Sequence, residues 1–493
     1  TRVIHTRHMY RNYDGGQQTV RSMECRPSGV TLLPFPNDAV TLSRQASDIP
    51  APPPDVNIVD FGAVEGADVS NAVSQNNSKA IQDAIDYVSD QGGGRVRVPD
   101  GVFMVRWSPA GPGGPMIRMK DNAVLDLAPS AVIRRNGGGA MFGSLPSDDT
   151  TTEGFDGPKN WTIQGGTLDC NGVYARQYDI ISVCIQVSHT DGGTVQNTRI
   201  LNQFANHCVD SAGNRNLTVR NVRFEGWEPP NLATEGEFEG CAYGSHGWCY
   251  LEAVQVDKAF RESGASGASD GTATDGLFVS DCWVGPSDVF GAHGVFVGSH
   301  GGQRSGGAGV AVEPYRNIQV VKNTVTDYRG TAVRIHAWHD SVVRGNTFVS
   351  RHDHPKVGRI DEGAKAPILL HTLRETNWPN RNVVIEDNTL QDTGAPDCAY
   401  AAFSVDQPFS WYQGDGTAVP YPGSTQKHEG IVFQDNKTIS HQGSNVFNVT
   451  NAELVVITGN RWTDPQISGE ALVCDDMTNV SDNGPQPATE GRA

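Results

Sequence analysis

The sequence predicts an all-β chain wound as one parallel β-solenoid behind a single capping helix. Three observations carry this expectation. A short strand with a turn asparagine recurs at a step near 24 residues: 197 to 221 and 436 to 460 are 24 apart, and 323 to 346 are 23 apart. A period of that size marks a coil whose hydrophobic face is buried only by stacking on its neighbours. The 493 residues include 56 glycines but only 19% charged residues, which suits many short strands joined by many turns. One helical pattern precedes this strand-rich body, where it could cover an open end.

The elements follow in order. Residues 1–55 end in Pro52-Pro53-Pro54, an extended, stiff connector, and are expected to form an arm or lead-in. After Val56–Ala63, the residues Ala80, Ile81, Ala84, Ile85 and Val88 recur at helical spacing, with Asn77 or Ser78 placed to cap the first turn and Gly92-Gly93-Gly94 to end it. Arg95–Phe103 reads as strand, turn, strand. The solenoid is expected to span 56–480, with 481–493 as a tail. Its repeats centre on Asn197, Asn221, Asp281, Asn323, Asn346, Asn388, Asn436 and Asn460. The wider gaps of 60, 42, 42 and 48 residues hold one step plus an inserted loop. Asparagine tolerates the left-handed corner, and stacked amides can bond along the stack.

Composition excludes several classes. The net charge of −18 and the lack of a Lys/Arg tract make a nucleic-acid partner a poor fit. No apolar run reaches 18 residues, so no transmembrane helix is expected. The nine cysteines include no CxxC pair, so neither a zinc site nor a redox motif is expected. Cys184 and Cys208 fall at one position of successive coils, where a disulfide is allowed but not required. Nothing implies a nucleotide, flavin or haem.

Val56–Phe103 and Gly165-Gly166-Thr167-Leu168-Asp169-Cys170-Asn171-Gly172 resemble signatures of the pectate lyase-like right-handed parallel β-helix superfamily. The resemblance covers roughly 56–480 and implies the fold. It does not choose among the superfamily's hydrolases, lyases, epimerases and phage tailspikes. It also implies a secreted or virion-borne protein, and it admits a homotrimer, common among viral members. Gly291–Ser299 and Val333-Arg334-Ile335 are similar to the histidine and arginine segments of polygalacturonases. The departures are that His336 stands where that family has lysine, and that its adjacent aspartate pair is missing; Asp275-Gly276 falls at a turn, off the face. That family's mechanism is therefore not carried over.

Each coil has a second strand upstream of its asparagine. Aligned on the apolar pairs Ile185/Val187, Val209/Ser211, Val254/Val256, Val295/Val297, Val333/Ile335 and Ile368/Leu370, the residue between each pair points outward: Gln186, Asp210, Gln255, Phe296, Arg334, Leu369. The next outward column holds Asp257, His336 and His371, and two residues before the pairs stand His207, Glu252 and His293. Exposed strands carry polar residues in any solenoid. Here complementary groups concentrate in consecutive coils flanked by insertions at 226–250, 258–273 and 301–316, which builds a groove.

Cleaving a glycosidic bond needs one carboxylic acid and one carboxylate. Glu252 is the expected acid or base, with Asp257 and Asp210 as partners and Asp270 reaching in from a loop. Arg334 and His300 would bind an acidic or hydroxyl-rich sugar, beside Gln255, His207, His293 and His336. Phe296, Trp338 and Trp411 would stack on sugar rings. The expected function is an endo-acting glycoside hydrolase with a polysaccharide substrate and no required cofactor. Two alternatives stay open. One is elimination or epimerisation on a uronate polymer, with Ca²⁺ on the carboxylates. The other is a receptor-binding spike.

Overall fold

In the computed structural model the described residues are 53–107, 114–178, 180, 182–228, 252–261, 264–299, 313–328, 331–349, 367–371, 378–391, 401–405, 426–439 and 446–463, with backbone alone at 410–412, 418–420, 472–478, 481–482 and 486–487. The chain divides between Pro52 and Pro53. The expected arm therefore lies almost wholly outside the described residues.

From Asp55 onward the strands join in one continuous network of parallel pairings, apart from Ser410–Tyr412 and Ala418–Pro420, which form a separate antiparallel pair. Each strand pairs with its counterpart one coil away, as Val219 does with Val195 and then with Val279. Inward residues such as Val195, Val219, Val279, Val320 and Val343 are 0% exposed and form one core running along the axis. The parallel solenoid expected from the repeat is the observed architecture. Its ladder runs past residue 480: Ser481–Asp482 and Gln486–Pro487 still pair with the preceding coil.

The helix is Asn71–Asp90, longer than its apolar pattern suggests. Its N-cap is Ser70, whose hydroxyl accepts from Val73 N at 3.3 Å. Asn77 and Ser78, expected as caps, lie buried inside it. Asn77 bonds Val64 on both sides of its amide and donates to Met104 O at 3.0 Å, while Ser78 donates to Arg106 O at 2.8 Å. They stitch the helix to the first coil. Ile81, Ala84, Ile85 and Val88 are fully buried, each large one contributing about 1.5–3 kcal/mol.

The asparagine repeat resolves into two columns one residue apart. Asn197, Asn221, Asp281, Lys322, Asp387 and Asp435 carry the left-handed backbone (φ 50–58°), and glycine does so at 345 and 459. The following residue points inward. There Asn323, Asn346, Asn388, Asn436 and Asn460 form a buried ladder in which each Nδ2 donates to the next Oδ1 at 2.9 Å. The expected single column thus merged a corner column with an interior one. Cys184 and Cys208 are stacked, buried and free. Burial pushes both thiols well above the usual thiol range.

Candidate functional site

The sheet upstream of the asparagine corner is built by Ile185–Ser188, Val209–Ala212, Glu252–Asp257, Val295–Ser299, Val333–His336 and Ile368–His371. The first five of these strands are entered through two consecutive core residues: Cys184/Ile185, Cys208/Val209, Ala253/Val254, Phe296/Val297 and Ala332/Val333. Two inward residues in a row break the alternation, so the residue before each doublet lies on the outward side. That brings His207 and Glu252 onto the face.

Register places Asp210 beside Gln186 and Gln255, Gln255 beside Gly298, and Gly298 beside Arg334. The outward row is therefore Gln186, Asp210, Gln255, Gly298, Arg334. The expected Val295/Val297 pairing was two residues off, because Ser299, a polar residue, fills the inward position opposite Val256. Phe296 is corrected from a stacking residue to a core residue, edge-on to Phe224. His293 moves with it: it is fully buried, stacked on Trp227 with its Nε2 3.3 Å from the Cys208 thiol. Trp338 is also core, its Nε1 donating to Ser299 Oγ at 2.8 Å. Asp270 does not reach the carboxylates; it accepts from Gly154 N and Thr272 N at 2.9 Å, tying two loops together. His300 and the Trp411 side chain lie outside the described residues.

Asp210, Glu252, Gln255, Asp257, Arg334 and His207 are brought together. Gly298 is the hinge of the arrangement. A Cβ there would sit 2.7 Å from Glu252 Oε1 and 2.8 Å from its Cγ. Lacking one, the strand lets the Glu252 side chain lie across the row and pair with the Arg334 guanidinium. The other Glu252 oxygen is 3.4 Å from His207 Nδ1. Gln255 Nε2 donates to Asp257 Oδ2 at 2.8 Å. His336 shares the Asp257 column and meets His371 edge-on at 5.5 Å.

The electrostatics separate the carboxylates. Glu252 is fully buried and salt-bridged. Asp257 has the Lys258 ammonium within electrostatic reach; burial lowers that lysine's pKa to about 8 while Asp257 pulls it up. Asp210 is 2% exposed and makes no ion pair among the described residues. Its contact is the Gln186 amide at 3.3 Å. Burial first, then the charges of Asp257 and Glu252, push its carboxyl well above the usual range. Lys258 was missed from the sequence; its signal was a lysine, one of nine in the chain, directly after Asp257.

The 258–273 insertion covers the upstream end. Ser188 Oγ donates to Ser266 O at 2.7 Å, and Gly264 packs on the Gln186 amide. Gln186 is half-buried and the Arg334 side chain is 17% exposed, so these two are the accessible members of the row. Among the described residues no three His, Cys, Asp or Glu side chains converge to hold a metal ion. A concavity of about 450 Å³ lined by Arg215, Asp275 and Asn317 lies at the turn corner, in a different part of the coil.

No family model matches the chain. Plasmin and fibronectin-binding protein A of Streptococcus pneumoniae is 23% identical over 352 residues, covering 68% of this chain. The chain spans 45% of that relative's length. Among solved structures, the Streptococcus pneumoniae surface protein and adhesin PfbA superposes with a TM-score of 0.63 at 19% identity, covering 88% of this chain and 99% of the other. A hyperthermoactive exopolygalacturonase from Thermotoga maritima gives 0.50 at 16% identity, covering 87% and 92%. These likenesses are of fold: the chain is a right-handed parallel β-helix.

Proposed function

We propose that the chain is an extracellular or surface-exposed glycoside hydrolase acting on a polysaccharide, with Asp210 as the proton donor and Asp257 as the base. The observation that carries this reading is the contrast among the carboxyls. Asp210 is buried with no ion pair among the described residues and its carboxyl is pushed well above the usual range, whereas Glu252 is salt-bridged to Arg334 and Asp257 lies beside a lysine. A general acid and a base need environments that drive their pKa values apart. Asp210 and Asp257 stand on adjacent strands, offset by two residues. Strand spacing and rise then separate their Cα atoms by ~8 Å. In this reading Glu252, expected from the sequence as the acid or base, has the role of holding Arg334.

The test is release of reducing ends from a polymer panel. Asp210→Asn should lower the rate by about 10²-fold or more. The wild-type rate should fall as pH rises through the elevated Asp210 pKa, because the acid must carry its proton. A fully active Asp210→Asn enzyme would overturn the assignment.

A second reading is glycan recognition without cleavage by a surface adhesin. It is favoured by the likeness to PfbA and by carboxyls that are at most 2% exposed. Retained polymer binding with no new ends would select it.

A further inference from the structure

We infer that this face takes an uncharged, hydroxyl-rich glycan and discriminates against polyuronates. The inference rests on the reading above that the face handles a glycan, and it names the class.

Among the described residues, Arg334, Lys258 and His207 are already engaged by groups of the protein itself. The Arg334 guanidinium is held by Glu252, which fills the space that Gly298 leaves open. Lys258 is fully buried next to Asp257, with its ammonium 5.2 Å from the centre of the Tyr315 ring. That ring belongs to the core, so the charge faces inward. His207 lies against Glu252. A uronate carboxylate arriving here would meet the charges of Glu252 and Asp257 and would have to displace Glu252 from its arginine.

The hydrogen-bonding atoms still open point the same way. Asp210 Oδ1 and Gln255 Oε1 are buried and have no hydrogen-bond partner among the described residues, and the two residues are register neighbours. Buried polar atoms in native structures are nearly always satisfied, so these two await a ligand group. A sugar hydroxyl supplies the donor that Gln255 Oε1 needs, and the ether or hydroxyl oxygen of a sugar can accept the Asp210 proton. The chain's charge of −18 adds long-range repulsion of a polyanion.

The experiment compares neutral polymers (β-glucan, α-glucan, galactan, mannan) with polygalacturonate and alginate at one fixed ionic strength. Turnover is read on the wild-type chain, and affinity on Asp210→Asn. The expected result is binding and cleavage confined to neutral polymers. Glu252→Gln, which releases Arg334, should strengthen binding of a galacturonate oligosaccharide by about tenfold or more. Thermal melting reports whether that variant folds; if it does not, the wild-type comparison alone decides. Polygalacturonate bound or cleaved as well as any neutral polymer overturns this inference and leaves the hydrolase reading intact. Neutral polymer bound but never cleaved overturns the hydrolase reading and supports the substrate class. Binding to neither class overturns both.

Discussion

Gly298 governs the site through what it lacks. The space above it is occupied by Glu252, and no other residue type leaves that space free. Gly298→Ala should push the carboxylate off Arg334 and destabilise the fold by about 1–3 kcal/mol, measured by urea denaturation. Any glycan activity should fall with it. If the stability and binding of Gly298→Ala match wild type, the across-row pairing is wrong. The polar members of this row were legible in the sequence, because alternation places Asp210, Gln255 and Arg334 on one face whatever the loops do. Gly298 was not, since a glycine in a strand carries no chemical label. The aromatic assignments failed for a related reason. Ser299 fills an inward position, satisfied by Trp338 Nε1 and by His336 N at 3.0 Å, so an apolar-pair alignment slid two residues and turned Phe296 outward.

The buried asparagine ladder behaves as one element although its members are 23 to 48 residues apart. Asn388 accepts from both the backbone N and the side-chain Nδ2 of Asn346, and donates to Val343 O and Asn436. Asn388→Ala would leave several buried groups without partners at once, costing about 3 kcal/mol or more. Asn221, an exposed corner residue with φ 50°, should tolerate glycine within about 0.5 kcal/mol. Equal losses for the two variants, measured by thermal melting, would refute the two-column description. The coil period was legible because each coil repeats one turn. The split into columns was not, because an asparagine suits both a left-handed corner and an interior ladder. A one-residue offset disappears among inserted loops of varying length.

At the scale of the molecule, the solenoid accounts for the glycine-rich, weakly charged composition: corners recur in every coil and one core runs along the axis. The capping helix and the parallel winding were legible because periodicity is local and strong. The burial of the carboxyls was not, because it depends on which insertions lie over the face. The same winding determines which asparagines a cell could modify. Asn160, Asn216 and Asn436 each begin an Asn-X-Thr acceptor sequence. Asn160 and Asn216 are exposed corners, whereas Asn436 is 1% exposed with its amide consumed in the ladder. Produced through a eukaryotic secretory pathway, folded protein should carry sugar at the first two positions, with occupancy at Asn436 confined to aggregated material, as mass spectrometry of the two fractions would read. The ladder that holds the later coils together thus makes the choice of production host a determinant of folding yield, and a bacterial host avoids the conflict.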